Sequence, residues 1–184
     1  MLSKTKVFIH ALRLYFYNNF ITNTPYESFR KFYIKRIMGI SVGKNVHIGM
    51  RVRLNGTKLK IGDNCIINRD CYLDNRDWII LKDNVGISSF CKIFTMSHNP
   101  NSKTFSTYSK KVVINSNSWV ASNSTILPGV LVECNSVIGC CSVVTKDVEK
   151  NSIVVGNPAK KIKSRVFPTH YKLYYKPWFD TDYE

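Results

Sequence analysis

Aliphatic side chains recur at every sixth position over most of this 184-residue chain. Neither an α-helix, with a period of about 3.6 residues, nor a single strand, with a period of 2, produces this spacing. A short strand followed by a turn, repeated three times per coil, does produce it. The pattern therefore predicts a β-solenoid whose aliphatic side chains point inward and stack from coil to coil. The fifteen positions form five groups of three: Val42, Ile48, Leu54; Ile61, Ile67, Leu73; Leu81, Ile87, Ile93; Ile114, Val120, Ile126; and Val132, Ile138, Val144.

A second pattern accompanies the first, because the residue four positions after most of these aliphatics is small or short-branched. A three-sided coil has the least room near its corners, so we expect these residues inside the prism at its corners. Three of the six cysteines take such positions, which predicts packing rather than a metal or redox role: Cys65, Cys71 and Cys91. The other three fall at turns, and the set fits no common zinc spacing: Cys134, Cys140 and Cys141.

The six-residue period stops after Ile93 and restarts only at Ile114, 21 residues later. The interval is polar and contains Pro100, so we expect a loop extruded from one corner of the prism. A loop of this length inside a compact domain is usually functional or disordered, and the residue at its base favours a functional loop. His98 lies where the loop begins. Imidazole titrates near neutral pH, so a histidine there can accept a proton from an attacking hydroxyl and pass it to a leaving group.

The repeat, its break at His98 and the stretch "NSWVASNSTILPGVLVECNSVIGCCSVVTKDV" resemble the hexapeptide-repeat acyltransferases of the sugar and xenobiotic O-acetyltransferase type. The resemblance covers about residues 40–163. It implies an all-β solenoid, a left-handed parallel β-helix of about five coils, with an N-terminal helical cap and an extruded loop after His98. It also implies a homotrimer that binds acetyl-CoA as co-substrate, and a carbohydrate acceptor, in clefts between subunits, with no metal required.

The same resemblance assigns candidate site residues. His98 matches the catalytic histidine, and Asp74 matches the residue that contacts the acceptor or orients that histidine. Asn75 and Trp119 are expected beside the acceptor. Coenzyme A is expected at seven further positions, from its pantetheine arm to its phosphates: Ala121, Ser122, Cys140, Thr145, Lys146, Lys160 and Lys163. A corner turn is the alternative role for Asp74 and Asn75, and a solvated basic tail is the alternative for the last two lysines.

The two ends of the chain lack the six-residue period. We predict an N-terminal helical segment at 1–39, an acyltransferase domain at 40–163 and a C-terminal tail at 164–184. The aromatic tail is expected to pack along the prism or against a neighbouring subunit.

Within the first segment, Thr24 is predicted to cap a helix that has Pro25 at its first position and Glu27 closing a capping box. A preceding amphipathic helix is predicted to present one apolar face: Val7, Leu14, Tyr17 and Ile21. A basic, aromatic segment of this kind either covers the open end of a solenoid or contacts an anionic membrane, and the sequence leaves both roles open.

Charge narrows the choice of partner. The chain has 27 Lys and Arg against 12 Asp and Glu, a net charge of +15, which predicts a polyanionic partner such as a phosphorylated cofactor. No nucleic-acid-binding motif accompanies the charge, so we do not expect nucleic acid. No apolar run approaches the roughly 20 residues of a membrane span. We expect a cytoplasmic protein, with the inner face of the membrane as an alternative location.

The resemblance, together with the position of His98, implies an acetyl-CoA-dependent O-acetyltransferase that acts on a sugar hydroxyl, in surface polysaccharide biosynthesis, with His98 as general base. N-acetylation of an amino sugar nucleotide is an alternative on the same fold. A zinc-dependent carbonic anhydrase is a second, but it needs about three converging histidines, and only His98 lies at a suitable coil. A non-catalytic trimeric scaffold is the third.

Overall fold

The computed structural model describes residues 3–166 and 171–181. The remaining positions of the predicted N-terminal segment and tail, including His170, lie outside the described residues. Helical elements come first along the chain: α1 (Lys4–Asn19), a 3-10 turn (Ile21–Asn23), α2 (Glu27–Phe32) and a π-helical turn (Tyr33–Ile37). A last 3-10 turn spans Trp178–Asp180.

Between the helices and the tail, the described chain is built from nineteen short strands. They are β1 (Ser41–Val42), β2 (His47–Ile48), β3 (Arg53–Leu54), β4 (Leu59–Ile61), β5 (Ile66–Ile67), β6 (Tyr72–Asp74), β7 (Ile79–Leu81), β8 (Gly86–Ile87), β9 (Lys92–Phe94), β10 (Met96–His98), β11 (Thr107–Ser109), β12 (Val112–Ile114), β13 (Trp119–Val120), β14 (Thr125–Ile126), β15 (Leu131–Val132), β16 (Val137–Ile138), β17 (Val143–Val144), β18 (Ser152–Gly156) and β19 (Ala159–Ser164).

The strands wind into a three-sided prism with one sheet on each side. Face 1 contains β1, β4, β7, β12 and β15; face 2 contains β2, β5, β8, β13, β16, β18 and β19; face 3 contains β3, β6, β9, β14 and β17. Neighbouring strands on each face are parallel, except for the antiparallel pair β18–β19. Five complete coils are followed by part of a sixth, in which β18 pairs with β16. The predicted β-solenoid is confirmed, with slightly more turns than the five expected.

The predicted aliphatic positions stack in register. Along face 1, Val42 lies opposite Ile61, Ile61 opposite Leu81, Leu81 opposite Ile114, and Ile114 opposite Val132. Of the fifteen, only Val42 at the open end of the prism is not fully buried. Burying each such side chain stabilises the fold by roughly 1.5–3 kcal/mol.

Most corners contain a residue with left-handed backbone torsion angles, directly before the small buried residue. Asn is among the few non-glycine residues that adopt these angles at modest cost. It takes this place at seven corners: Asn45, Asn64, Asn84, Asn117, Asn123, Asn135 and Asn151. The cysteines at inner corners are buried and free, and burial raises the pKa of the Cys65 thiol to about 11. That thiol therefore stays protonated, which agrees with the predicted packing role.

The N-terminal helices cover the first coil. Tyr17 of α1 is fully buried, Leu14 packs against the core, and the Asn18 side chain exchanges two hydrogen bonds with the backbone of Leu54 (2.7 and 3.0 Å). Val7, predicted on the same face, is 53% exposed. The start of α1 therefore lacks the packing that holds its end against the prism.

The predicted cap of the second helix is wrong. The helix begins at Glu27, with Tyr26 before it, and no side chain caps it. The Thr24 hydroxyl donates instead to the carbonyl of Ile21 (2.8 Å), and the Glu27 carboxylate accepts from the backbone N–H of Ile48 (3.1 Å). Contacts with the first coil thus displace the local capping pattern.

The C-terminal tail runs back along its own prism. The Asn84 side chain in the third coil donates to the carbonyl of Tyr171 (2.8 Å) and accepts from the N–H of Leu173 (2.7 Å). Further on, Asp180 accepts from the N–H of Met50 (2.8 Å) in the first coil. The tail thereby connects the third coil to the first.

A buried charged cluster fastens the end of this tail. His47, 3% exposed, lies between two carboxylates, with Nδ1 3.3 Å from Glu27 Oε1 and Nε2 3.3 Å from Asp180 Oδ1. The buried Arg30 guanidinium donates to the carbonyl of Ile48 (2.9 Å) and lies 3.8 Å from Asp180. Burial disfavours a charged His47, but the two carboxylates outweigh that effect and raise its pKa.

Candidate active site

The break in the six-residue period forms a two-stranded hairpin. β10 pairs antiparallel with β11, with Met96 opposite Ser109 and His98 opposite Thr107. The hairpin leaves the prism between β9 of face 3 and β12 of face 1, at the edge that we call corner 3–1. His98 ends the first hairpin strand, and the tip of the extruded loop follows it, as expected.

Thr95 fixes the base of the hairpin to the preceding coil. Its buried hydroxyl donates to the carbonyl of Asp74 (2.6 Å) and accepts from the N–H of Asp77 (2.9 Å), while its carbonyl accepts from the N–H of Lys110 (2.9 Å). Sequence reasoning missed this residue. A lone hydroxyl at the point where an aliphatic repeat stops is the signal that would have identified it.

The His98 ring is held in one orientation by Phe105, across the hairpin tip. The two rings stack with centroids 3.9 Å apart and an interplanar angle of 15°. His98 Nδ1 lies 3.0 Å from the Phe105 carbonyl oxygen. A carbonyl only accepts hydrogen bonds, so Nδ1 carries the proton, and the lone pair of the neutral ring is on Nε2. His98 is exposed, so this nitrogen is available to a substrate.

Asp74 is almost fully buried, and both of its carboxylate oxygens contact Arg76. The distances are 2.7 Å from Oδ1 to Nε and 2.8 Å from Oδ2 to Nη2. A buried carboxylate requires such a partner because desolvation penalises its charge. The pair presents a half-exposed guanidinium at corner 3–1, one coil before the hairpin. No hydrogen bond among the described residues joins the Asp74 carboxylate to His98, so the orienting role stays a prediction.

Asn75 is fully buried in the same corner. Its side-chain oxygen accepts from the N–H of Asn55 (3.1 Å), and its carbonyl accepts from the N–H of Lys58 (3.2 Å). These contacts belong to the corner turn that was the alternative reading. The Asn75 amide nitrogen has no hydrogen-bond partner among the described residues, and contact with an acceptor stays a prediction.

Trp119 lies on β13 of face 2, half-exposed, and its Nε1 donates to the Ser88 hydroxyl (2.9 Å). A Cβ on Gly86, on the neighbouring strand, would make ordinary van der Waals contact with the Trp119 ring (3.6 Å). Face 2 does not border corner 3–1. The predicted wall of the site and His98 therefore lie on different sides of a single prism.

Three of the predicted coenzyme A residues share the corner between faces 2 and 3. Ala121 is buried, its N–H donates to the carbonyl of Ile138 (2.8 Å), and its carbonyl accepts from the Cys91 thiol (3.2 Å). The carbonyl of Ser122 accepts from the N–H of Cys141 (3.0 Å), which places Ser122 directly beside the exposed Cys140 in the next coil. The corner forms a continuous ridge of backbone along the prism.

The remaining candidates lie toward the end of the solenoid. Thr145 and Lys146 are exposed at corner 3–1, two coils beyond the hairpin, and Lys146 lines a cavity of about 200 Å³. Lys160 and Lys163 are exposed on β19. Lys161 between them, which also lines the cavity, forms an ion pair with Glu149 (2.9 Å) and was not predicted.

Within one chain, the candidate site residues therefore fall into two sets. His98, Asp74, Thr145 and Lys146 lie along corner 3–1, whereas Trp119 and the pantetheine candidates lie on face 2 and its border with face 3. Within residues 3–166 and 171–181, no group of three His, Cys, Asp or Glu side chains is arranged to bind a metal ion. Among the described candidates, the group suited to accept a proton is the imidazole of His98. Basic side chains and backbone groups are among the other candidates.

No family model matches the chain. Among curated proteins, it is 31% identical over 135 residues to WcaF of Escherichia coli K12, named as a colanic acid biosynthesis acetyltransferase, covering 73% of this chain and 74% of that protein. This similarity spans most of the solenoid and the hairpin together, so it concerns more than the repeat.

Solved structures match over nearly the whole chain. A hexapeptide-repeat acetyltransferase of Vibrio cholerae, complexed with acetyl-CoA, superposes with a TM-score of 0.81 at 24% identity, covering 90% of this chain and 91% of that one. A galactoside acetyltransferase in complex with coenzyme A gives a TM-score of 0.77 at 26% identity, covering 93% and 90%. The fold is the left-handed parallel β-helix that the resemblance implied. The chain belongs to the hexapeptide-repeat acetyltransferases.

Proposed function

We propose that this protein transfers the acetyl group of acetyl-CoA to a hydroxyl group of a carbohydrate, with His98 as the general base. One observation carries the proposal: the hydrogen bond from His98 Nδ1 to the Phe105 carbonyl leaves the lone pair on the exposed Nε2. The relatives support the chemistry, since they are acetyltransferases, and one of them is named for a galactoside.

The proposed reaction needs no covalent enzyme intermediate. Nε2 accepts the proton of the acceptor hydroxyl as its oxygen attacks the thioester carbonyl. The tetrahedral intermediate then collapses, the C–S bond breaks, and the leaving thiolate takes the proton back from the imidazolium. The Phe105 carbonyl keeps its hydrogen bond to Nδ1 throughout, so it stabilises the ring in its protonated form as well.

Coenzyme A is expected along the ridge of Ala121, Ser122 and Cys140, with its phosphates toward the basic end of the solenoid. The ridge carries little side-chain bulk, which suits an extended pantetheine arm. Exposed lysines near the end of the prism, Lys146, Lys160 and Lys163, suit an anionic nucleotide because charge-assisted hydrogen bonds to phosphate are strong. Unlike these three, Lys161 is already paired, with Glu149.

The separation of the two candidate sets supports a site shared between subunits. Because face 2 does not border corner 3–1, Trp119 and His98 of one prism belong to different surfaces. A neighbouring prism that packs its face 2 against the hairpin of the first would bring the two sets together. We propose a homotrimer, since three such contacts close a ring in which every site is complete.

An acceptor screen tests this function. The protein is incubated with acetyl-CoA and either neutral sugars or amino sugars, thiol release is followed, and products are distinguished as esters or amides by NMR. We expect ester products from hydroxyl acceptors. Amide products alone would establish the N-acetyltransferase alternative instead, and failure to bind coenzyme A in calorimetry would leave only a non-catalytic scaffold.

A further inference from the structure

Helix α1 has a second apolar face, opposite the one that packs on the prism. The packed face places Leu14 and Tyr17 against the core. The second face carries large side chains three or four residues apart, which places them on one side of the helix. These side chains are 42–66% exposed: Phe8, Leu12, Tyr15 and Phe16. An amphipathic helix covering a solenoid end needs only the first of these faces.

The second face is continuous rather than scattered. The rings of Tyr15, Phe16 and Phe20 contact one another, with centroids 5.6–6.3 Å apart, and each is about half-exposed. Contiguous exposed apolar surface of this kind marks an interaction site.

The surroundings of this face are strongly basic. Among residues 3–38, the only acid is Glu27, which is already engaged by His47 and Lys31. Five exposed cations lie on or near the helix, and none forms an ion pair with another described residue: Lys4, Lys6, Arg13, Lys35 and Arg36. The occupant of the face must therefore combine an apolar layer with negative charge.

We infer that α1 docks this protein on the surface of an anionic lipid bilayer, lying in the headgroup layer with Phe8, Leu12 and Phe16 toward the acyl chains. Aromatic and aliphatic residues on one side and flanking Lys and Arg are the composition of helices that lie in this interface. A second copy of the chain fits the face less well, because contact through the same surface would bring the same unpaired cations together. In the described part of the chain, no helix has the length and apolar character of a membrane span.

Vesicle co-sedimentation tests the inference. The full chain is mixed with vesicles of phosphatidylcholine alone or with 30% phosphatidylglycerol, at low and high salt. We expect binding only to the anionic vesicles and weaker binding at high salt. Since each basic residue near an anionic surface contributes a factor of about five, Lys4→Gln/Lys6→Gln/Arg13→Gln should weaken binding roughly a hundredfold. Phe8→Ser/Leu12→Ser/Phe16→Ser should weaken it at least about tenfold.

Matched controls separate a specific surface from net charge alone. Lys60→Gln/Lys82→Gln/Lys92→Gln removes the same charge from the faces and corners of the prism and should reduce binding far less. Phe90→Ser removes an exposed ring at a distant corner and should have no effect. The inference would be overturned if the helix variant (Lys4, Lys6 and Arg13 changed) and the prism variant (Lys60, Lys82 and Lys92 changed) lost vesicle binding equally. It would also be overturned if the wild-type chain did not bind anionic vesicles. A change of oligomeric state in the aromatic variant, measured by light scattering without lipid, would show that a second copy covers the face instead.

Discussion

The coils and the hairpin of this protein differ in side-chain burial and in strand pairing. In the coils, inward side chains are almost all buried, and strands within the prism pair with the coils before and after them. In the hairpin, β10 and β11 pair only with each other, and Phe105 is 67% exposed. The prism therefore supplies the stability of the fold. The hairpin carries the candidate catalytic residue His98 and is fixed mainly at its base by Thr95.

The largest effect on stability is expected inside the prism. Leu81→Ala empties a position that is 1% exposed and stacks between two coils, so it should lower the free energy of unfolding by about 2–5 kcal/mol. The neighbouring Ile80→Ala, on the outward side of the same strand, serves as control and should cost under about 1 kcal/mol. Urea denaturation measures both, and equal losses would contradict the assignment of inward and outward positions.

In the hairpin, we expect a large effect on activity and a small effect on stability. Phe105→Ala removes the ring stacked on His98, so kcat should fall by about tenfold because the imidazole loses its orientation. Stability should change by only about 0.5 kcal/mol, as at other exposed positions. Phe105→Tyr, which keeps the ring, should restore kcat. If KM rises while kcat stays constant, Phe105 instead contributes to substrate binding.

Corner residues give a smaller effect. Asn123 has a φ of 61°, and its amide makes no side-chain hydrogen bond to another described residue, so Asn123→Ala should destabilise the fold by about 1 kcal/mol. Asn123→Gly should be nearly neutral, because glycine adopts this conformation freely. Thermal unfolding of the two variants compares them directly. Similar melting temperatures would show that the backbone angle is not the reason for asparagine here.

The cluster that fastens the tail is expected to make stability depend on pH. The pKa of His47 is raised, so the stability from its charge is present below its unfolded pKa of about 6.5 and is lost as pH rises through the folded value. The pKa values of Glu27 and Asp180 are lowered, chiefly because contacts with His47 outweigh the effect of burial. Their contribution is present above about pH 4 and is lost as pH falls through the folded values.

The difference in unfolding free energy between wild type and His47→Gln should therefore be greatest between about pH 4.5 and 6.5 and should shrink on the alkaline side. Denaturant unfolding across this range measures it. A difference that grows steadily with pH would mean that His47 is neutral in the folded protein.

The repeat made the prism predictable from sequence, because burial of every sixth side chain is a local and periodic requirement. The same pattern contained a signal that was overlooked, the asparagine directly before seven of the small corner residues, as at Asn64 and Asn123. His98 was identified because the period stops beside it.

The partners of the candidate residues were not predictable in the same way. The stacking of Phe105 on His98 depends on the hairpin turn, and the Asp74 carboxylate pairs with Arg76, a partner that the resemblance did not name. The His47–Asp180 contact joins residues at opposite ends of the chain, and no periodic pattern encodes it. Contact with the first coil also displaced the helix start from the predicted Pro25 to Glu27.

In the proposed mechanism, a rigid prism presents Nε2 of His98 as the proton acceptor. The most direct measurement is kcat of His98→Ala beside wild type, by thiol release from acetyl-CoA with an accepted sugar, on samples with matching melting temperatures. We predict a loss of about two to four orders of magnitude, with coenzyme A binding and oligomeric state unchanged. Turnover within about threefold of wild type would contradict the mechanism.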